Sequence, residues 1–198
     1  SLNEDMREQT TAEFQHRYHV SLNQANRVAD TAQKFMESLC HEHNVPVQSL
    51  TLWKQYLSWA GRLHEIGLDI SHTGYHKHSA YILENADMPG FSRKEQSVLA
   101  QLVLGHRGEV RKMTEIVGSN EMMWYAILSL RLAALFCRAR MPLELPPFTQ
   151  LRPDSTGKGF MLRISRNWLE QHPLIGDALA YESTQWQKID MPFGVQLQ

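Results

Sequence analysis

Between Met141 and Pro147 the chain reads Met-Pro-Leu-Glu-Leu-Pro-Pro, and no helix can run through it. Proline locks φ and lacks the amide proton that an inner helical turn needs. The stretch therefore divides the sequence into parts of different periodicity. Upstream, apolar residues recur at helical spacing. Downstream, two strand-like runs over 148–151 and 160–164 flank the turn-rich Pro153-Asp154-Ser155-Thr156-Gly157 and read as a hairpin. An amphipathic helix over about 173–189 and a run over 193–197 complete a small β-β-α-β unit. The pattern predicts a mostly α chain, with an all-α domain over 1–145 and a small α/β domain over 146–198 that packs on it.

Five helices are predicted upstream. The first starts at Ser21, where Ser21-x-x-Gln24 resembles a capping box, and carries Ala25, Val28, Ala29, Ala32, Phe35, Met36 and Leu39. The second opens near Gln48 and runs to Gly67, with apolar residues on more than one face. The third covers about 76–86 and is broken by Met88-Pro89-Gly90-Phe91. The fourth begins at the capping box Ser92-x-x-Glu95. The fifth follows Asn120 as N-cap and ends in the basic run Arg138-Ala139-Arg140, which suits a helix C-terminus.

Composition excludes several function classes. Of 198 residues, 42% are hydrophobic and 21% charged, which describes a globular protein rather than a disordered one. A formal net charge of -1 offers no global basic field for DNA or a membrane surface. The longest apolar run, 122–137, is interrupted by Ser129 and Arg131 and falls short of the roughly 18 residues that span a bilayer. Two distant cysteines, Cys40 and Cys137, form no disulfide framework and favour a reducing cytoplasm. The polar, acidic N-terminus does not read as a signal peptide. Ser1 in place of an initiator Met fits a processed chain or a piece of a longer protein.

His64-Glu65, just before Gly67, resembles the adjacent His-Asp pair of HD phosphohydrolases, with Glu in place of Asp. In that family a divalent metal is held by a first-helix His, the adjacent pair and a later Asp, and it activates water or polarises a phosphoryl oxygen. In register, the first ligand position falls on Asn26, ahead of Arg27-Val28-Ala29. The last falls on Ala134, after Arg131-Leu132-Ala133. Asn is a poor transition-metal ligand and Ala is none. His64, Glu65, Asn26 and Ala134 are thus expected to be a degenerate HD site without metal, its His and Glu hydrogen-bonded to neighbours. Arg131, on an otherwise apolar helix, needs a partner if buried, and Glu65 is the expected one.

A wider resemblance covers nearly the whole chain. His64-Glu65-Ile66-Gly67-Leu68, then His76-Lys77-His78-Ser79-Ala80-Tyr81 through Met88-Pro89-Gly90-Phe91, and later Asn167-Trp168-Leu169-Glu170-Gln171-His172-Pro173-Leu174 with Glu182-Ser183 and Trp186-Gln187, are similar to the C-terminal half of the bacterial exopolyphosphatase and guanosine pentaphosphate phosphohydrolase family. The resemblance implies an HD-like helical domain and a small α/β domain. These would follow two actin-like domains, absent from this chain, that hold the phosphohydrolase site with its Mg²⁺. No cofactor is then expected in this chain. Gly157-Lys158-Gly159 matches no P-loop spacing.

An accessory region of such an enzyme would help bind polyphosphate or guanosine pentaphosphate, and would form a homodimer. Lys, Arg and protonated His neutralise phosphate charge in a salt-sensitive way. The candidates are His72, His76, Lys77 and His78 in one block, and His106, Arg107, Arg111 and Lys112 in another. Both blocks lie at predicted helix ends. The tryptophans read as core rather than as base-stacking platforms. Two alternatives stand beside this reading: a dimerisation scaffold alone, or a remodelled metal site of His64, Glu65, His76, His78 and His106 with its own phosphatase activity.

Overall fold

The computed structural model describes residues 2–41 and 45–198. Its elements follow the order α1 (Leu2–Arg17), α2 (Leu22–Cys40), α3 (Val47–Leu63), a 3-10 turn (Ile66–Asp69), α4 (Tyr75–Asn85), α5 (Arg93–Gly105), a second 3-10 turn (Val110–Met113), α6 (Thr114–Val117) and α7 (Glu121–Phe136). After the proline-rich stretch come β1 (Gln150–Pro153), β2 (Phe160–Ile164), α8 (Arg166–Glu170), α9 (Pro173–Gln187) and β3 (Phe193–Leu197). The chain is mostly α with a small C-terminal α/β part, as expected. Among the described residues no helix is long and apolar enough to cross a membrane.

Capping chemistry sets several boundaries. At α5 the box is complete: Ser92 Oγ accepts from Glu95 N–H at 3.0 Å and Glu95 Oε1 accepts from Ser92 N–H at 2.8 Å. Asn120 Oδ1 accepts from Met123 N–H at 3.1 Å and opens α7. At α2 only half of the expected box forms. Ser21 Oγ accepts from Gln24 N–H at 3.5 Å, but the Gln24 side chain turns away and donates to the Cys137 carbonyl at 2.8 Å.

Helix α3 ends at Leu63, earlier than the predicted Gly67, for a tertiary reason. Ser79 Oγ on α4 donates to the His64 carbonyl and accepts from Gly67 N–H, both at 2.8 Å. One hydroxyl thus satisfies two backbone groups that the helix end leaves open. A Cβ on Gly67 would lie 2.3 Å from the Tyr75 carbonyl oxygen, so only glycine admits this approach of α4.

Helix α1 was not among the predicted elements. Phe14 is its one fully buried apolar side chain, and polar contacts hold the rest. Thr10 Oγ1 donates to the Pro89 carbonyl at 2.6 Å, Gln15 Nε2 donates to the Arg62 carbonyl at 3.1 Å, and Arg62 pairs with Glu8 at 2.8 Å. A helix secured this way has no apolar stripe to reveal it.

Helix α7 is the axis of the core, with residues 123–133 buried without a break. It ends at Phe136, so the basic run expected as its last turn lies in the loop beyond, where Arg140 adopts a left-handed φ of 58°. The three strands run in the order β1-β2-β3, antiparallel for the first pair and parallel for the second. The first strand starts two residues later than predicted, after Phe148 at a left-handed φ of 64°. Phe160 stacks edge-on against Tyr125 and Trp186, and Trp186 against Trp124, so β2 and α9 share the apolar core of α7. Ser38 ties α2 to β1 by accepting from Leu151 N–H and donating to its carbonyl, both at 2.8 Å. Trp59 and Trp186 are fully buried, in keeping with the core reading of the tryptophans.

Candidate functional site

A cavity of about 930 Å³ opens where the ends of α3, α5 and α7 meet the start of α4 and one face of α9. His64, Glu65, Ala134 and Arg131 line it together with His72, Tyr75, His106 and Arg107, and α9 contributes Leu174, Asp177, Tyr181 and Glu182. The loop after α7 adds Arg138 and Arg140.

The floor is a cluster of neutral rings. His64 and His106 are 2% and 4% exposed, and their rings meet edge-on at 5.2 Å. His64 Nδ1 faces the Gly61 carbonyl and His106 Nδ1 the Val103 carbonyl, each at 2.5 Å. A carbonyl only accepts, so each Nδ1 carries the proton and donates. His106 Nε2 then accepts from Tyr75 Oη–H at 3.1 Å. Burial drives the pKa of both imidazoles down, for His106 well below the ordinary value and aided by its neighbour His64. His76, half-buried beside them, is lowered to about 4 by burial and then by the Arg107 charge.

Above the floor sit two ion pairs, and they differ from the pairing expected from sequence. Arg131 does not reach Glu65. Its Nε and Nη2 bind Glu182 at 2.7 and 2.9 Å, and its Nη1 donates to the Gly105 carbonyl at 3.0 Å. Trp186 Nε1 donates to the same Glu182 carboxylate at 2.9 Å. Glu65 is instead gripped by Arg140, whose Nη1 and Nη2 donate to its two oxygens at 2.8 and 3.1 Å. Burial raises the Glu65 carboxyl pKa, but the Arg140 hydrogen bonds and the charges around it outweigh burial, so it lies below the usual carboxylate range.

Three of the four positions assigned to a degenerate HD site come together here. The fourth does not: Asn26 is exposed on α2, and Gln24, two residues earlier, reaches the cavity wall. These side chains do not fit a divalent cation. Ala134 offers no donor, and Arg140 occupies both Glu65 oxygens. Among the described residues no group of three or more His, Cys, Asp or Glu is placed to hold a metal ion. The remodelled site of His64, Glu65, His76, His78 and His106 is therefore not assembled.

Of the phosphate-binding candidates, His72, His106 and Arg107 line the cavity. His76, Lys77, His78, Arg111 and Lys112 lie outside its lining, and Arg111 pairs with Glu109 at 2.7 Å. His106 is neutral and already bonded, so it supplies shape rather than charge. The two blocks do converge. Arg107 lies over the Tyr75 ring at 4.8 Å, and the His76 and His106 rings are 6.4 Å apart. Sequence reasoning missed Arg138 and Arg140, which read as ordinary complements to a helix dipole, and it missed the α9 wall. The signal that could have found the arginines is their place in a loop directly after a helix that carries a presumed ligand position.

With Glu65 and Glu182 each held by a guanidinium, Arg107 and Arg138 are left facing the single carboxylate Asp177, and the cavity is net positive. Such a concave, cation-rimmed space suits an anion carrying several negative charges.

The comparisons with known proteins agree with this setting. Among curated proteins, the chain is 35% identical to a guanosine-5'-triphosphate,3'-diphosphate pyrophosphatase of Pseudoalteromonas translucida, over 94% of this chain and 37% of that protein. It is 32% identical to the protein of the same name from Vibrio atlanticus, over 98% of this chain and 38% of the relative. The Aeromonas hydrophila counterpart is 31% identical over 95% and 37%. The chain thus spans a little over a third of the length of these relatives. The model of domain III of the Ppx/GppA phosphatases matches residues 6–183, and the chain belongs to that family.

Proposed function

We propose that this chain is an accessory C-terminal region of a phosphoanhydride hydrolase, and that its cavity helps to bind the anionic substrate, guanosine pentaphosphate or inorganic polyphosphate. In this reading the rest of the enzyme carries the Mg²⁺ and the actin-like domains that cleave the terminal phosphoanhydride bond. The chain would also contribute to a homodimer in the cytoplasm. The observation that carries the reading is the cavity itself, where Arg107 and Arg138 remain without a carboxylate partner among the described residues while the position after Ala133 offers no metal ligand. The names and lengths of the relatives support it.

Phosphate neutralisation releases counterions, so binding of a linear polyphosphate should fall steeply with salt. Titration of the chain with inorganic polyphosphate at several salt concentrations tests this. The expected result is a log–log salt dependence whose slope shrinks by about one for Arg107→Ala and again for Arg138→Ala. Absence of binding at low salt would sink the proposal.

A further inference from the structure

Asp177 does not belong in a pocket built only for a polyanion. It stands on the cavity wall formed by α9, exposed, and among the described residues no hydrogen bond or ion pair engages it. An unpaired carboxylate beside Arg107 and Arg138 repels phosphate by the same Coulomb law through which they attract it. It becomes favourable if the ligand also carries N–H donors.

Its neighbours on the helix point the same way. Leu174, Asp177 and Tyr181 are spaced three and four apart and share one face of α9. Leu174 is 77% and Tyr181 60% exposed, although both line the cavity. The next residue, Glu182, turns inward to Arg131 and anchors this face from behind. An aromatic ring and an aliphatic side chain on either side of a free carboxylate form a surface for a flat, donor-bearing ring.

We infer that this wall is a base subsite for a guanine nucleotide. Asp177 accepts from the adjacent N1–H and N2–H₂ donors of the guanine edge, Tyr181 stacks on the ring, and the phosphates lie toward Arg107 and Arg138. A carboxylate accepts two parallel hydrogen bonds from such a pair. Adenine presents one amino donor next to an acceptor and inorganic polyphosphate presents none, so both lose this contact. The inference rests on the anion-pocket reading above and selects between its two substrate classes.

The test is calorimetric titration of the chain with GTP, ATP and tripolyphosphate at low salt, for the wild type, Asp177→Asn and Tyr181→Ala. Both side chains are exposed, so the variants should keep the fold, which circular dichroism checks. GTP should bind about tenfold tighter than ATP, the discrimination that one good bidentate pair supplies. D177N should weaken GTP by about tenfold, yet leave tripolyphosphate unchanged or tighter, because a repulsive charge is gone. Y181A should weaken both nucleotides and spare tripolyphosphate. Equal affinity for all three ligands, with D177N strengthening each, would overturn the base subsite and leave the anion pocket standing. No binding of any of the three would overturn both.

Discussion

Glu182 carries more of the interior chemistry than any other single side chain. Its carboxylate, 4% exposed, accepts two hydrogen bonds from Arg131 and one from Trp186, and so neutralises a cation buried in the core helix α7. Removing one partner of a buried pair leaves the other charge uncompensated, which costs about 3–5 kcal/mol. Glu182→Ala should therefore shift the urea unfolding midpoint by that amount at an unchanged m-value. The double variant Arg131→Met/Glu182→Leu should recover most of the loss, since no charge is then stranded. That Arg131 needs a partner was legible from its apolar neighbours. Which carboxylate answers was not. Glu65 is close in the HD register, but the pairing spans 51 residues and depends on how α9 docks.

At the scale of the element, caps and helix ends follow different physics. The Ser92 box is local, exposed and complete, and its residues announce it at fixed spacing. The end of α3 is set by Ser79, which lies 12 residues beyond Gly67 and is fully buried. Two substitutions separate these cases. Ser92→Ala should cost about 1 kcal/mol, the usual worth of an N-cap. Ser79→Ala should cost about 1–3 kcal/mol, because it leaves a buried Gly67 N–H and the His64 carbonyl unsatisfied. Paired urea titrations would show whether the second exceeds the first. The same distinction explains why α5 and α7 were readable from their caps while α1 was not. Most of its contacts reach Trp59, Arg62, Pro89 and Glu95 through polar groups, which no periodicity records.

At the scale of the whole molecule, the fold gathers His64, His76 and His106 from three helix ends and holds them neutral. Unfolded, such imidazoles take up protons near pH 6.5; folded, they resist until the pH is lower, for His76 until about 4. Above pH 6.5 they have no effect on stability. As the pH falls below 6.5, the unfolded chain binds more protons and the fold loses stability. Carboxylates with lowered pKa, such as Glu65 and Glu8, begin to contribute only as the pH approaches their unfolded value of 4.5. Urea midpoints measured from pH 7.5 downward should therefore decline already between about 6.5 and 5, with a shallower decline in His106→Gln; a flat profile in that window would contradict the cluster. From residues alone came the helical class, the break at 141–147, the hairpin, several caps and the family resemblance, because propensity, periodicity and capping act within a few residues of each other. The cavity, the Arg131–Glu182 and Arg140–Glu65 pairs, the early end of α3 and the face that α9 turns to the arginines were settled only by tertiary packing. Each depends on groups tens of residues apart, whose distance no local spacing encodes.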